Sequence, residues 1–427
     1  MKILLVNVST YRKVYVYPIG LDYLKSYLES NGFSDIETLD LALVPESLHK
    51  QELIQKLSVQ FDVIAFSFRN ITDQLHHGRQ YTPVVKDLID FTRQVVRGYN
   101  HQTTLVVGGA GFSLLPEKMI ELVGADYGIS GEGEVAFLQL LHRLKKNLPT
   151  HQKIFFSKVP LAEIEYTRGS WGYVDEYQGI GAWGNIQSKR GCNRKCVYCS
   201  YPVIEGKMFR LRDPDLVAKE ALQLEKLGFT QLYFVDATFN NPLMHGKEIL
   251  KSFKKYGVTA SWKGFFNPDI DQELLNLVKE TNGDQIIRFT IESGSDKMLQ
   301  SLQKGFTVEY IEKAIALCKK NNMQFAFTVM FGAPGETRET ILETCRFINK
   351  HQPVHVSAGF GVFIYPQTPL AELTKGTLWN SEEELLFSTQ VPFEREENKR
   401  LIESELSKAG VEFIIYDEIE FLNQSVM

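Results

Sequence analysis

Strand-like apolar runs alternate with amphipathic helical patterns through most of this chain, in two blocks. That alternation constrains the fold more than any other feature. In residues 1–147 the strand-like runs are KILLVNVS, IETLDLAL, FDVIAFSF, TTLVVGG and ADYGIS. Between them lie stretches such as IGLDYLKSYLESNG, where Leu21, Leu24 and Leu28 share one helical face. Five β–α units of this kind predict a doubly wound, open parallel sheet covered on both faces. Such sheets bind ligands at the carboxyl ends of their strands, where the strand order reverses.

Residues 148–184 lose the alternation and read as a linker with a short strand. It resumes with NIQSKRG, QLYFVDAT, TASWKGF, QIIRFTIE, QFAFTVMFG and HVSAGFGVFIY, separated by helical stretches such as PDLVAKEALQLEKLG and VEYIEKAIALCKKNN. Six β–α units over residues 185–375 predict a barrel or partial barrel, with its chemistry at the carboxyl ends of the strands. Residues 376–427 form an acidic, helical extension ending in GVEFIIYDEIEF, a late strand. No internal repeat or low-complexity segment is evident.

The chain has 427 residues, 44% of them hydrophobic, enough for two or three domains with cores. With 47 basic and 52 acidic residues, its net charge of -5 gives no case for nucleic acid or an anionic membrane as partner. No run of eighteen apolar residues appears, and MKILLVNVST reads as a first strand rather than a signal peptide. Five cysteines, three of them crowded together, do not make a disulfide framework. The expectation is a cytoplasmic protein.

The crowded cysteines lie in KRGCNRKCVYCSYP, at Cys192, Cys196 and Cys199. A structural zinc site needs four Cys or His ligands. Cys318 and Cys345 sit inside apolar helical patterns, as core cysteines do. The histidines nearest the cluster are His151 and His245. Three thiolates suit a 4Fe–4S cluster that keeps one iron open to a substrate or cofactor.

The spacing C-x3-C-x2-C, with aromatic Tyr198 before the last cysteine, resembles the signature of the radical S-adenosylmethionine (SAM) superfamily. The resemblance implies that Cys192, Cys196 and Cys199 hold the cluster, as metal ligands and catalytic residues, and that SAM chelates the open iron. GAPGET brings a tight turn to the end of the fifth barrel strand, and IESGS places an acid at the end of the fourth, where ribose hydroxyls could donate to it. Both stand where the superfamily contacts SAM, which implies roles for Glu292, Ser293, Gly332, Pro334 and Gly335. Asp236, in FVDATFN, and Lys263, in SWKGFF, read either as substrate or cofactor contacts or as satisfied polar groups.

In the first block, glycines follow strands in YPIG, GGAG and GEG, where backbone can approach a large flat ligand. No G-x-G-x-x-G follows the first strand, so a dinucleotide site is unsupported, and NVSTYRK lacks the acidic pocket of a response regulator. The combination VVGGAGFSLLP and ADYGISGEGEVAFLQLL resembles the cobalamin-binding domain that precedes many radical SAM barrels. That resemblance covers residues 1–375 and implies cobalamin contacts from Ser9, Thr10, Gly20, Ser67, Arg69, Asn70, Gly108, Gly109, Gly111, Gly131, Glu132 and Gly133. The family's D-x-H-x-x-G motif is absent, so no such histidine would ligate cobalt from below. In SFRN, which is similar to the tryptophan C-methyltransferase branch, Arg69 stands where a lower-face contact is expected, and a guanidinium has no lone pair to donate. The alternative is that Arg69 binds a peripheral amide or phosphate.

The resemblance implies a cobalamin-dependent radical SAM enzyme, a C-methyltransferase that passes a methyl group from SAM through cobalamin to a carbon of a small-molecule or peptide substrate. It also implies an electron donor such as flavodoxin or ferredoxin. The rivals are a non-methylating rearrangement or cyclisation on the same cofactors, and a non-catalytic iron–sulfur redox sensor. A sensor would need no SAM pocket, so GAPGET and IESGS count against it.

Overall fold

The computed structural model describes residues 1–8, 17–73, 79–80, 82–99, 101–387, 391, 394–407 and 410–415. In the first block, β1 (Ile3–Asn7), β2 (Ile36–Asp40), β3 (Val63–Ser67), β4 (Thr104–Gly108) and β5 (Tyr127–Gly131) form a sheet. The helices are α1 (Ile19–Ser30), α2 (His49–Leu57), α3 (Thr82–Gly98), α4 (Pro116–Val123) and α5 (Gly133–Lys145). A sixth strand, β6 (Ile154–Ser157), joins beyond β5, and the order β2-β1-β3-β4-β5-β6 is parallel throughout. The chain reverses its winding between β1 and β3, which opens a crevice at their carboxyl ends. Alternate strand residues feed two cores, one under α2, α3 and α4 and one under α1 and α5.

The stretch expected as a linker is structured. It supplies β6 and then Trp171 and Tyr177, both buried in the core under α1 and α5. Edge strand β6 buries Phe155 but leaves Phe156 67% exposed, so its alternation is too brief to register as a sheet member.

The second block has β7 (Gly184–Ile186), β8 (Gln231–Phe234), β9 (Ser261–Lys263), β10 (Phe265–Phe266), β11 (Ile286–Glu292), β12 (Gln324–Phe331) and β13 (His355–Phe360). All are parallel, in two sheets ordered β9-β8-β7 and β10-β11-β12-β13-β14, the last being Glu412–Ile415. Gly264 separates β9 from β10 where a Cβ would lie 3.3 Å from that of Phe234, so the strand breaks there and serves both sheets. Helices α6 (Pro214–Lys226), α7 (Leu243–Tyr256), α8 (Gln272–Glu280), α9 (Val308–Lys320) and α10 (Arg338–His351) cover the outside around one aromatic-rich core. Local signals start several of them. Asp213 caps α6 ahead of Pro214, and Thr337 and Thr340 form a capping box on α10.

In the C-terminal extension, α11 (Arg395–Ser407) buries Ile402 and Leu406 in the barrel core. The late strand β14 (Glu412–Ile415) pairs with β13 and lengthens the barrel sheet. Among the described residues, β7 and β14 do not pair, so the barrel is partial. No helix among the described residues is long and apolar enough to cross a membrane.

Candidate active site

The cysteine loop begins one tight turn after β7. Gly191 has φ +89°, and a Cβ there would fall 2.1 Å from the Met208 carbonyl oxygen, so only glycine lets the chain pass. The loop is then pinned by backbone bonds from Cys192 N to Gly206 O (3.1 Å) and from Val197 N to Leu302 O (3.2 Å). Cys192 is buried, and Cys196 and Cys199 are half-buried. Burial pushes the Cys199 thiol up to about 12 and the Cys192 thiol up, and the neighbouring cysteines add to both shifts. Thiols such as these two are costly to ionise unless a metal takes the charge, because coordination deprotonates a thiol. Among the described residues no three His, Cys, Asp or Glu side chains converge on a single ion. Three thiols on one loop instead fit a multi-iron cluster, whose ligands bind at separate corners. Cys318 and Cys345 are core residues under α9 and α10, and burial pushes both thiols up to about 12.

The rim of the barrel meets this loop at Tyr198. Its hydroxyl donates to Glu292 Oε1 at 2.9 Å, and Lys304 Nζ donates to the same oxygen at 3.2 Å. Glu292 Oε2 accepts nothing among the described residues. Glu292 sits at φ +67°, where β11 slips register against β12, a strained backbone for a non-glycine residue. The strain turns its carboxylate toward the cysteine loop. No motif marks Lys304 in the sequence; its role emerges only from this pair. Gly332 and Gly335 hold φ +92° and +87° in the turn after β12, around Pro334, whose carbonyl accepts from Ser301 Oγ at 2.8 Å.

Three residues expected as cofactor contacts are engaged elsewhere. The Ser293 hydroxyl bonds Thr344 of α10 at 2.9 Å and accepts from Ser295 N, which turns it away from the rim. Asp236 is saturated by Ser188 N (2.8 Å), Ser188 Oγ (2.5 Å) and Lys189 Nζ (2.8 Å), and so ties β8 to the segment after β7. Glu132 accepts from Val159 N (2.8 Å) and is ion-paired to Arg190 (3.1 Å) and Arg210.

A cavity of about 470 Å³ lies over the carboxyl ends of β1, β3, β4 and β5, between the sheet and the barrel. Of the expected cobalamin contacts, Gly20, Ser67, Arg69, Asn70, Gly108, Gly109, Gly131, Glu132 and Gly133 line it, and Ser9 and Thr10 lie outside the described residues. A Cβ on Gly20 would meet nothing within 4 Å, and one on Gly131 only Ile204 O at 3.9 Å. Glycine there leaves room for a broad, flat group against the backbone, and the residues fit a corrin in this respect. Gly111 does not line the cavity; its N–H donates to Phe68 O at 3.0 Å and packs GGAG onto SFRN. The opposite wall belongs to the barrel, including Gln187, Tyr201, Ile204 and Glu205 just after the last cysteine. Arg69 across the cavity is close enough to Tyr201 to oppose the rise that burial imposes on its phenol.

Buried ion pairs join the two domains beside this cavity. Arg168 bonds Asp22 of α1 at 2.6 Å, Glu220 of α6 at 2.7 Å and the Asn185 carbonyl at 2.7 Å. Arg212 adds a second bond to Glu220 at 2.5 Å, and Arg190 bonds Glu134 of α5 at 2.6 Å. Burial alone would raise the Glu220 carboxyl, but the Arg212 and Arg168 guanidiniums hold it below the ordinary range. The cavity and the cysteine loop are therefore held at a set separation.

Comparison with known proteins agrees with this arrangement. The B12 binding domain model matches residues 6–141, and the Radical SAM superfamily model matches residues 186–348. An uncharacterized methyltransferase of Pyrococcus horikoshii is 25% identical over 356 residues, covering 78% of this chain and 73% of the relative. A tryptophan 2-C-methyltransferase of Streptomyces laurentii is 23% identical over 444 residues, covering 83% and 71%. The fold superposes on a radical SAM methyltransferase, TsrM from Kitasatospora setae, solved with cobalamin and a [4Fe-4S] cluster bound. That match has a TM-score of 0.75 at 21% identity and covers 88% of this chain and 79% of the other. The chain joins a B12 binding domain to a radical SAM barrel and is a cobalamin-dependent enzyme of the radical SAM superfamily.

Proposed function

We propose that the protein transfers a methyl group from SAM, by way of cobalamin, to a carbon atom of a small-molecule substrate. The observation that carries this reading is the cavity, which faces the sheet's carboxyl ends on one side and the cysteine-loop residues Tyr201 and Ile204 on the other. When bound, the cluster, SAM and cobalamin supply the methyl group and its carrier, and the chain supplies their placement.

Cys192, Cys196 and Cys199 would hold the cluster, and Glu292, set by Tyr198 and Lys304, would offer its second carboxylate oxygen to SAM's ribose hydroxyls. Gly332 and Gly335, at positive φ, close the tight turn after β12, which would border SAM. Gly20 and Gly131, with open space where a Cβ would be, would let the corrin lie against backbone, and Gly108 lines the same cavity. Arg69, which lines the cavity on the segment after β3, has no lone pair to donate and so would not itself ligate cobalt. The relatives named as methyltransferases support the reaction class, and the one named for tryptophan supports a small-molecule acceptor.

The test is anaerobic reconstitution with iron, sulfide, cobalamin, a reductant and SAM carrying a deuterated methyl group. Products from a panel of metabolites are then read by mass spectrometry. A product retaining the labelled methyl on carbon, with S-adenosylhomocysteine formed, supports the reading. A product rearranged without any added methyl would replace it with the non-methylating alternative.

A further inference from the structure

One short stretch of the barrel is bonded to the cysteine loop at three places. Between β11 and α9 the chain forms a short helix, Asp296–Ser301, and then turns through Leu302 to Lys304, whose N–H donates to Leu299 O at 3.0 Å. Val197 N of the loop donates to Leu302 O at 3.2 Å, and Arg194 Nη1 donates to Lys304 O at 3.2 Å. The Lys304 ammonium donates to the Tyr198 hydroxyl at 3.3 Å. Val197 and Leu302 also share an apolar cluster with Leu370 and Trp379 of the segment after β13. The part of the loop that carries Cys196 and Cys199 thus rests on this turn.

Lys304 is only 4% exposed, and its Nζ lies 5.9 Å from the Tyr198 ring centroid and 5.6 Å from that of Phe306. Lysine is rarely buried this far, because burial disfavours its charged form. Glu292 Oε1, 3.2 Å away, supplies counter-charge, and the same oxygen accepts from Tyr198. A buried ion pair adds little to stability over well-packed apolar residues, since desolvation offsets most of its attraction. Stability alone is therefore a weak reason for a charge at this position. The charge also reaches the loop, where it opposes the rise that burial imposes on the Cys199 thiol.

A cluster held by three thiolates carries net negative charge, and reduction adds to it. Its reduction potential follows the net charge and solvent exposure of its surroundings. A buried cation beside the ligand loop acts through a low dielectric, where its field is far stronger than in water. Lys304 favours the reduced form, and the Glu292 carboxylate opposes it.

We infer that Lys304, from its buried place against the cysteine loop, raises the reduction potential of the cluster, with Glu292 as the opposing charge. One electron enters the cluster from an external low-potential donor, which is oxidised; no bond forms or breaks and no proton moves. The inference rests on the three cysteines holding a cluster and is independent of methyl transfer.

The test is a redox titration of the full-length holoenzyme, reconstituted anaerobically, without SAM and at pH 8, above the ordinary carboxylate range. The readout is the electron paramagnetic resonance signal of the reduced cluster, which is distinct from that of cob(II)alamin, and iron content is measured first in each variant. Lys304→Met keeps a long apolar side chain between the two rings and removes the charge. At the wild-type midpoint it should lower the ratio of reduced to oxidised cluster about tenfold, a shift of about 59 mV for one electron. Lys304→Arg keeps the charge and should recover most of that loss. Glu292→Gln should move the midpoint upward, because it removes the opposing charge. A residue that only clamps the loop would shift Lys304→Met and Glu292→Gln in the same direction. Lys304→Gln takes the place of the methionine variant if that variant loses iron. A midpoint unchanged or raised when Lys304 loses its charge, an equal fall in Lys304→Arg, or a fall in Glu292→Gln overturns the inference. Wild-type protein that binds no iron overturns the cluster assignment and this inference with it. Shifts of the expected sign without any methylated product count against methyl transfer alone, so the two readings fail separately.

Discussion

Arg168→Met removes the residue that binds both domains at once. Its guanidinium bonds Asp22, Glu220 and the Asn185 carbonyl, and both carboxylates are almost wholly out of solvent. Methionine fills much of the volume, so the loss is electrostatic. Glu220 keeps Arg212 and the Tyr23 hydroxyl (2.7 Å), while Asp22 keeps only the Trp171 N–H at 2.8 Å and weaker donors. Removing one partner of a buried pair costs about 3–5 kcal/mol, because the other charge stays buried. For a domain of 150–250 residues that is a midpoint fall of roughly 6–20 °C.

The pH dependence follows with its sign. In the wild type, Glu220 titrates below its unfolded value, so its contribution is present above the unfolded pKa and is lost as pH falls through the folded one. In the variant, a buried carboxylate with less counter-charge titrates higher than before, so mild acid should relieve part of the damage. Thermal unfolding by circular dichroism between pH 5 and 8 reads both effects. Arg168→Met/Asp22→Asn should recover part of the loss, since it neutralises the acid left without counter-charge, whereas Glu220→Gln in its place would strand the buried Arg212. A single variant within about 1 kcal/mol of wild type, the range of an exposed pair, would refute the view that this seam sets the domain separation.

Cys318→Ala and Cys345→Ala should cost stability but leave the cluster absorbance intact in the visible spectrum of anaerobic protein. Glu292→Gln should weaken SAM binding in equilibrium dialysis and leave iron content unchanged, since the glutamine amide oxygen can still accept from the Tyr198 hydroxyl and the Lys304 ammonium that join the cysteine loop to the barrel. Arg69→Lys and Arg69→Gln should both still bind cobalamin. Only the glutamine, which brings a carbonyl oxygen, should alter the cobalt spectrum and slow methyl transfer. Equal loss of affinity in both with unchanged spectra would reduce Arg69 to a peripheral clamp.

Both β–α blocks were legible because helix and strand periods repeat along the chain, and the cysteine loop because its ligands are close in sequence. The short strand expected within residues 148–184 is β6, but its place at the sheet edge was hidden, since that depends on pairing with β5 rather than on its own pattern. Three expected contacts are tied up within the protein for one shared reason. Asp236, Ser293 and Glu132 stand at strand ends where ligands bind, yet their partners Ser188, Thr344 and Arg190 come from segments that sequence spacing does not connect to them. Lys304 and Arg168 went unseen for the converse reason. Each acts only through acids brought to it by the fold.

The central claim is that one chain holds two separate metal cofactors facing each other across the domain seam. Elemental analysis of anaerobically reconstituted wild type, Gly20→Leu and Cys196→Ala tests it most directly. Gly20 has open space where its Cβ would be, so leucine should obstruct the cavity without disturbing the fold. Wild type should carry one cobalt and about four irons per chain. Gly20→Leu should lose cobalt and keep iron, and Cys196→Ala should lose iron and keep cobalt. Wild-type protein that takes up no cobalt, or full cobalt in Gly20→Leu, would contradict the account.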